Sequence, residues 1–559
     1  MNTFIKNNYT RVNLLTLLAS GLCLSFYLLQ LSGFYHDDAY IILRYAKNFL
    51  AGNGIVWNVG EKVEGYSSFL WLILISLLGY LKIDLVLASR ILGVAFAFLT
   101  VALFFILEWQ RRIIGALLLA TNCCFALWAL GGLETVAFGF FVFLGCYLFQ
   151  KNYRNWKTLI AIGFIFSLAT MTRPEGILFF SITLVFCLFN KGTVNTSNIK
   201  SVCFLLSGFL VSYLPYFLWR LYYYGHLFPC TFYVKGGTNL FKILFGARYI
   251  FHFLLMYGFP LGILFFVKDW KRFIGDHAYL ISLFLSYGFY ILIIGGDHMQ
   301  GFRFMVPILP LMYLFVQDAF YQSRFINKPV FLNTCLLLIL VVNFYVSYNS
   351  ILHGSKETKD AMTHSYKYKM CFKVPDPAAY IGKIVGLYIK ENWPHNCAVA
   401  LNIAGSIPYF SEVACFVDML GLNDYNIARR KISYDYSFFL NDRIRIEKLF
   451  TYQGRSELVA QITKQYLPWQ LIPGHGKGDG EYVLSRKPDY IIIGAAQGDI
   501  KPCFLGDKEL LSSPDFQRNY ELKQVQIRAT DKFNAYFDKT ETGVLTFKYY
   551  EKRKMQNNS

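Results

Sequence analysis

The chain has 559 residues, of which 55% are hydrophobic, 18% are aromatic and only 16% are charged. One water-soluble core does not use so many apolar residues, so the composition excludes an ordinary soluble protein and predicts an integral membrane protein. The formal net charge is +19, but much of the excess stands in short segments between apolar runs, as in cytoplasmic loops. Arg111 and Arg112 are one example, and this distribution argues against a nucleic-acid partner.

Long apolar runs recur between residues 12 and 350 and predict about eleven membrane-spanning helices, each needing roughly 20 residues. The predicted spans are 12–34, 85–107, 113–130, 135–150, 157–172, 175–190, 201–222, 246–267, 278–295, 304–320 and 329–350. The run 66–81 is shorter, and counting it as a span would put the basic loops outside. We therefore predict an interfacial or re-entrant helix there, with a cytoplasmic N-terminus. A cleaved signal peptide is the alternative for the first run.

After residue 352 the amino-acid composition changes: apolar and charged residues are mixed and are interrupted by Gly and Pro. This change predicts a membrane domain at 1–352 and a soluble domain at 353–559. Helical spacing and short apolar runs predict an α/β fold for the second domain. The expected elements are a helix at 377–392 and strands at 397–401, 414–419 and 490–493. No disulfide pairing is favoured among its four cysteines, Cys371, Cys397, Cys415 and Cys503.

Two adjacent acids, Asp37 and Asp38, follow directly on the first apolar run. Carboxylates are poor membrane anchors, so the pair is a candidate functional site. A structural alternative is that the two acids cap a helix beginning at Ala39, since Asp is a favoured N-cap. The predicted topology places further charged residues on the same outer face. These are Arg44, Glu61, Glu64, Glu134, Arg173, Glu175, Asp297 and Arg303.

Carboxylates and arginines together at an outer membrane surface suggest transfer from a lipid-linked phosphate donor. A carboxylate can deprotonate an acceptor hydroxyl, and arginine offers several donors to a leaving phosphate. Structural ion pairs are the alternative for Glu134 and for Asp297 with Arg303. A transporter would place polar groups near the bilayer midplane in repeated halves, and the sequence shows neither a repeat nor a charge cluster within a span.

Several segments resemble the GT-C class of polyprenyl-phosphate-sugar glycosyltransferases, and within it the terminal β-(1→2) arabinofuranosyltransferases of cell-wall arabinogalactan assembly. The segments that carry the resemblance are 36–44, 60–68, 132–135, 172–176, 295–303, 407–409, 417–424, 474–480 and 486–489. The resemblance implies a GT-C fold with an outer juxtamembrane helix. It also implies an inverting single displacement from a polyprenyl-phosphate sugar, with no nucleotide-sugar donor, metal or other cofactor.

By this resemblance one of Asp37 and Asp38 is the catalytic base, and Asp37 is the preferred candidate. The predicted location on the outer face and the match to the family's motifs assign a larger set of residues to binding of the donor phosphate and sugar. These residues are Arg44, Glu64, Tyr66, Glu134, Arg173, Glu175, Asp297, His298 and Arg303. A glycine-rich loop is expected on the acceptor side, with the residues His475, Lys477 and Asp479.

The expected partners are the lipid bilayer, the polyprenyl-phosphate sugar and an outer-surface glycan or glycolipid. The expected location is the bacterial plasma membrane, with the C-terminal domain outside. The sugar stays open, with a pentofuranose such as arabinofuranose as one possibility. Two other functions stay open as well. One is an O-antigen or protein glycosyltransferase of the same class, and the other is a transporter of polysaccharide or lipid carrier.

Overall fold

The structure is a computed structural model and describes residues 2–108, 114–152, 155–189, 195–237, 240–353, 376–432, 474–528 and 544–554. Arg111, Arg112 and Cys371 lie outside these ranges. The described cysteines Cys397, Cys415 and Cys503 are free thiols.

The described part of the chain before residue 354 is almost entirely helical. Its first ten helices are α1 (Asn2–Gln30), α2 (Asp37–Leu50), α3 (Phe69–Tyr80), α4 (Leu85–Glu108), α5 (Ile114–Ala120), α6 (Cys123–Leu130), α7 (Thr135–Asn152), α8 (Trp156–Thr172), α9 (Gly176–Leu188) and α10 (Thr196–Tyr224). The next six are α11 (Cys230–Lys235), α12 (Leu240–Tyr257), α13 (Trp270–Asp276), α14 (Ala278–Ile294), α15 (Leu309–Tyr321) and α16 (Pro329–His353). A 3-10 segment, Phe259–Phe266, follows α12.

Four described helices are long and apolar enough to cross a membrane alone. They contain the segments Val12–Gln30, Leu85–Glu108, Thr196–Tyr224 and Asn333–Leu352. Three bent pairs of helices raise the number to seven if each pair is one span. The chain is therefore a polytopic helical membrane protein, but the predicted count of eleven spans is not confirmed.

The predicted span 113–130 shows why the count differs. Two short helices, α5 and α6, replace it, because the side chain of Asn122 accepts the N–H groups of Cys124 and Phe125 and so starts a new helix. A turn at Gly131 and Gly132 then bends α6 away from α7 by 119°. Gly132 has a φ of +82°, a conformation that favours glycine.

Helix α3 has 12 residues, which at 1.5 Å per residue gives a length of about 18 Å. This is well short of the ~30 Å hydrocarbon core, so α3 cannot cross a bilayer alone, as the sequence predicted. Helices α8 and α10 pack backbone to backbone, since a Cβ at Gly163 would overlap the Leu205 carbonyl oxygen and one at Gly208 would overlap the Ile160 carbonyl oxygen. Such contacts between small residues are typical of membrane helices.

The described part of the chain after residue 375 contains a five-stranded sheet with the order β2-β1-β3-β5-β4. The strands are β1 (Ala398–Leu401), β2 (Cys415–Asp418), β3 (Tyr490–Ile492), β4 (Tyr520–Arg528) and β5 (Val544–Lys552). The helices are α17 (Pro377–Asn392), α18 (Ser406–Ser411), α19 (Tyr425–Arg429), α20 (Gly480–Ser485), α21 (Leu505–Ser512) and α22 (Pro514–Asn519). Strands β1 to β3 and helix α17 confirm the elements predicted there, whereas the domain boundary itself stays a prediction.

Strands β1, β2 and β3 run parallel, so their carboxyl ends meet at one edge of the sheet. Residues 402–405, 419–422 and 493–497 continue from these ends, and this carboxyl edge faces the start of α2. In open α/β sheets the carboxyl edge is the usual place for ligands.

Helix α2 contacts helix α18 directly. The ring of Tyr40 lies 5.3 Å from the ring of Tyr409 and 5.1 Å from that of Phe410, measured between centroids. The membrane part and the sheet are thus in contact beside the acidic pair.

Candidate active site

A cavity of about 150 Å³ lies between the first turn of α2, the loop that follows α14 and the carboxyl edge of the sheet. Its acidic, lysine and imidazole lining residues are His36, Asp37, Asp38, Lys235, His298, Asp376 and His475. These residues come from sequence segments far apart, so the cavity exists only in the folded chain.

The acidic pair stands in the first turn of α2 and does not precede it. His36 is the N-cap, and its Nδ1 accepts the N–H of Asp38 at 3.2 Å. The expectation of a helix beginning at Ala39 was therefore two residues late. The first turn of a helix favours negative charge because its N–H groups point outward there, which supports both carboxylates at this position.

The carboxylate of Asp37 is held by Ser406, the first residue of helix α18. Its Oδ1 accepts the backbone N–H of Ser406 at 2.9 Å and the Ser406 hydroxyl at 2.5 Å. The backbone N–H of Asp37 donates to Oδ2 of Asp376 at 3.0 Å. A Cβ at Gly405 would overlap the Asp37 carbonyl oxygen, so only glycine allows this approach. Burial and the nearby Asp376 raise the pKa of Asp37 to about 7, although the Ser406 hydrogen bonds oppose the rise.

The carboxylate of Asp38 is half-buried in the cavity wall. It accepts no hydrogen bond within the described ranges, in contrast to Asp37. Burial alone would raise the pKa of Asp38, but the electrostatic influence of the neighbouring His36, Lys235 and Arg303 outweighs burial and lowers it. Asp38 is therefore an ionised carboxylate whose oxygens are available to a ligand.

Lys235 is the cavity cation that the sequence did not reveal. It ends the short helix α11, and its carbonyl group and those of Gly236 and Gly237 accept from the ammonium group of Lys242, at distances between 2.7 and 2.9 Å. Burial and the neighbouring Arg303 lower the pKa of Lys235, whereas Asp38 raises it. Lys235 lies between two predicted spans among ordinary loop residues, and no motif marks it.

Arg303, Asp297 and His298 form one cluster beside the cavity. Arg303 Nε donates to Asp297 Oδ2 at 2.6 Å, and no other described carboxylate binds this guanidinium. Burial would raise the pKa of Asp297, but Arg303 lowers it to about 2. His298 lies in the cavity wall with its ring 4.6 Å from that of His475. Burial, and then His475, lower the pKa of His298 to about 3, so its imidazole is neutral.

Arg173, Glu134 and Glu175 form a buried triad outside the cavity lining. Arg173 NH1 lies 3.1 Å from Glu134 Oε1, and its NH2 lies 2.7 Å from Glu175 Oε1. The guanidinium of Arg173 also lies over the ring of Phe304, as does that of Arg303. The triad therefore packs against the Arg303 cluster and is satisfied within itself, which is the geometry of the structural alternative.

Three further residues expected at the donor site also lie outside the cavity lining. Arg44 donates to the carbonyl oxygens of Trp57, Pro408 and Val413. Glu64 forms a buried ion pair with Arg220, in which its Oε2 lies 2.6 Å from NH2. The hydroxyl of Tyr66 pairs with that of Tyr224. The structure therefore pairs Arg44, Glu64 and Tyr66 with other groups of the protein and does not bring them to the cavity, and their donor contact stays a prediction.

Of the three residues predicted on the acceptor side, one lines the cavity and two do not. His475 lines the cavity. Lys477 instead donates to the backbone carbonyl of Arg430 at 2.5 Å. Asp479 is the N-cap of α20 and accepts the N–H of Tyr482 at 2.9 Å. Lys477 and Asp479 thus form hydrogen bonds within the protein and lie outside the cavity lining, and their acceptor-side role stays a prediction.

Sequence reasoning also missed Asp376 and the neutral residues Gln300, Asn402 and Gln497 in the lining. One signal was present for Asn402, which follows the apolar run 398–401. A polar residue directly after a buried parallel strand indicates a ligand edge. Within the described ranges, no group of three or more His, Cys, Asp or Glu side chains is arranged to hold a metal ion.

Similarities to known proteins agree with this architecture. A family model described as Domain of unknown function (DUF8728) matches residues 378–542. A terminal beta-(1->2)-arabinofuranosyltransferase of Mycobacterium tuberculosis is 27% identical over 258 residues. The matched region is 41% of this chain and 40% of that relative, so the chain spans well under half of the relative's length.

The crystal structure of ArnT from Cupriavidus metallidurans, bound to undecaprenyl phosphate, matches with a TM-score of 0.50 and 10% identity. The match covers 76% of this chain and 90% of ArnT, so the two proteins share a fold. Together the sequence match and the shared fold confirm the predicted resemblance to the GT-C class of polyprenyl-phosphate-sugar glycosyltransferases.

Proposed function

We propose that this protein is an integral membrane glycosyltransferase that moves one sugar from a polyprenyl-phosphate carrier to a hydroxyl group of a glycan or glycolipid. One observation carries the proposal: the available carboxylate of Asp38 stands in the same cavity as Lys235, with Arg303 close enough to lower its pKa. A base beside cations is what transfer from a phosphate donor requires.

In the proposed reaction, Asp38 takes the proton of the acceptor hydroxyl while the hydroxyl oxygen bonds to the anomeric carbon. The bond between that carbon and the phosphate oxygen breaks, and the phosphate leaves with the bonding electrons. A single displacement of this kind inverts the anomeric configuration. Lys235 and Arg303 stabilise the charge that grows on the leaving phosphate.

The same cations control the base. In the ligand-free site, Lys235 and Arg303 contribute to the lowered pKa of Asp38, which makes it a weak base. A bound donor phosphate neutralises both cations and so raises the pKa of Asp38. Asp38 thereby becomes a stronger base only when the donor is present.

This proposal gives Asp37 a positioning role, although the sequence favoured Asp37 as the base. The oxygen Oδ1 of Asp37 is already engaged by both donors of Ser406. Asp37 therefore fixes the first turn of α2 against the start of helix α18, and the adjacent Asp38 faces the ligand. An Asn at position 38 cannot take a proton, whereas an Asn at position 37 keeps an oxygen that can accept from Ser406. Substitution by Asn can therefore separate the two roles.

The similarity to an arabinofuranosyltransferase supports a pentofuranose as the first donor sugar to test. The bound lipid in the ArnT structure supports a polyprenyl-phosphate carrier. We further propose about eleven spans in the bacterial plasma membrane, a cytoplasmic N-terminus and the sheet on the outer face. No nucleotide-sugar donor, metal or other cofactor takes part in the proposed reaction.

The test is transfer of radiolabelled sugar by the purified full chain, with a panel of synthetic polyprenyl-phosphate donors and neutral glycan acceptors. Asp38→Asn is expected to reduce kcat by about 100- to 10,000-fold, the usual range for loss of a general base. Asp37→Asn is expected to keep more activity. Asp84→Asn is the matched control, because Asp84 is exposed and accepts the N–H of Leu87 at the start of α4.

Full turnover by folded Asp38→Asn would overturn the assignment of the base. No turnover by wild type with any donor would overturn the proposed function. Transport of the lipid-linked donor in reconstituted vesicles would then be the next measurement.

A further inference from the structure

The neutral part of the cavity wall carries three side-chain amides whose oxygens are not satisfied. Gln300 and Asn402 are 6% and 3% exposed, and Gln497 is partly exposed. The oxygens Oε1 of Gln300, Oδ1 of Asn402 and Oε1 of Gln497 are buried, and none accepts a hydrogen bond within the described ranges. A buried acceptor without a donor costs about 1–3 kcal/mol, so three in one cavity call for a ligand that donates.

The orientation of the Asn402 amide is fixed by its neighbours. Asn402 Nδ2 donates to Asp507 Oδ1 at 2.8 Å, which leaves Oδ1 of Asn402 as the atom without a donor. Asp507 Oδ2 in turn accepts the backbone N–H groups of Gly494, Cys503 and Phe504. Both oxygens of Asp507 are therefore engaged, and this carboxylate is not open to a cationic ligand.

The other two amides stand on anchored backbone. The carbonyl oxygen of Gln300 accepts Nε1–H of Trp128 at 3.1 Å. The carbonyl oxygen of Gln497 accepts the N–H of Lys548 at 2.9 Å. These bonds hold the backbone of each glutamine beside the cavity and do not use its side-chain amide.

The fold explains how these amides meet. Asn402 follows β1 and Gln497 lies in the segment after β3, at the carboxyl edge of the parallel strands. Gln300 belongs to the loop after α14 and comes from the membrane part. Apolar residues such as Ile403 and Ala496 complete this side of the cavity. The cavity thus has a charged side at Asp38 and Lys235, and a neutral side that offers mainly acceptors.

We propose that Gln300, Asn402 and Gln497 form a subsite for the hydroxyl groups of a neutral sugar, and this inference rests on the proposed function. Hydroxyl groups both donate to amide oxygens and accept from amide N–H groups, whereas a carboxylate, sulfate or phosphate group has no hydrogen to donate to the fixed oxygen Oδ1 of Asn402. An ammonium group would find no available carboxylate at this side. Recognition is therefore divided: Lys235 and Arg303 contact the phosphate, whereas Gln300 and the sheet edge contact the sugar.

The experiment replaces the acceptor oxygens without changing side-chain length. Gln300→Met and Gln497→Met are compared with Gln524→Met, a matched control because Gln524 is exposed on β4. KM values are measured separately for the polyprenyl-phosphate donor and for the glycan acceptor. In parallel, binding of labelled neutral methyl glycosides to the purified full chain is measured without any transfer. A rise of roughly tenfold in KM or in Kd is expected for each cavity variant.

The outcomes separate this inference from the proposed function. A rise in donor KM alone assigns the subsite to the donor sugar, and a rise in acceptor KM alone assigns it to the acceptor. Wild-type turnover with both KM values unchanged in the two variants would overturn the subsite and leave the function standing. Saccharide binding that the variants lose, in a wild type without transfer, would support the subsite and overturn the function. If wild type shows neither transfer nor saccharide binding, both are overturned.

Discussion

Replacing Arg44 by Met tests whether this arginine binds the donor phosphate or holds two parts of the protein together. Its guanidinium donates at 2.8 Å to Trp57 O, at 2.6 Å to Pro408 O and at 2.9 Å to Val413 O. It also lies 4.9 Å from the centroid of the Phe416 ring. Arg44 therefore joins helix α2 to helix α18 and to the segment before β2.

The expected cost of Arg44→Met follows from these contacts. Each charge-assisted hydrogen bond contributes about 1.5–3 kcal/mol, and its loss leaves a buried carbonyl oxygen without a donor. Met keeps most of the apolar contact and removes a buried charge, which offsets part of the loss. The net expectation is a decrease of about 3–5 kcal/mol in the free energy of unfolding.

The assay is denaturant unfolding of the purified chain in detergent, followed by tryptophan fluorescence, together with the donor KM. Arg518→Met is the control, because this exposed arginine lies only 3.9 Å from Asp515 and such pairs contribute about 0–1 kcal/mol. Unchanged stability of Arg44→Met with a much higher donor KM would refute the structural role and restore the phosphate role.

Two further predictions concern the cavity. Because the pKa of Asp37 in the folded chain is about 7 and that of an unfolded aspartate is about 3.9, its stabilising contribution is greatest at low pH and is lost as pH rises through 7. Asp37→Asn should therefore reduce the pH dependence of unfolding between about pH 4 and 7 by up to ~1.4 kcal/mol per pH unit, and an unchanged slope would contradict the raised pKa. Lys235→Met should raise the donor KM by about 10- to 100-fold. Lys477→Met is the control and should leave the donor KM unchanged, because the ammonium group of Lys477 binds the Arg430 carbonyl oxygen. Equal effects of the two substitutions would contradict the assignment of Lys235 to the phosphate.

The sequence was sufficient wherever local pattern decides the outcome. Apolar runs marked most of the helices of the membrane part, and the charged pair Asp37 and Asp38 marked the cavity. The short run at 66–81 was recognised as too short for a span, and α3 has 12 residues. Strands β1 to β3 were predicted because buried strands are apolar and are bounded by Gly and Pro. These features depend on residues close together in the chain.

The tertiary structure alone decided which charged residues face the ligand. The sequence marks Arg44 as a candidate cation because Arg44 stands in a matching motif, whereas no motif marks Lys235. Folding brings the carbonyl oxygens of Pro408 and Val413 to Arg44 and removes it from the cavity, whereas Lys235 is left facing Asp38. The role of a charged side chain depends on which groups form hydrogen bonds with it in the folded chain. Partners that lie several hundred residues away in the sequence cannot be recognised from a local pattern.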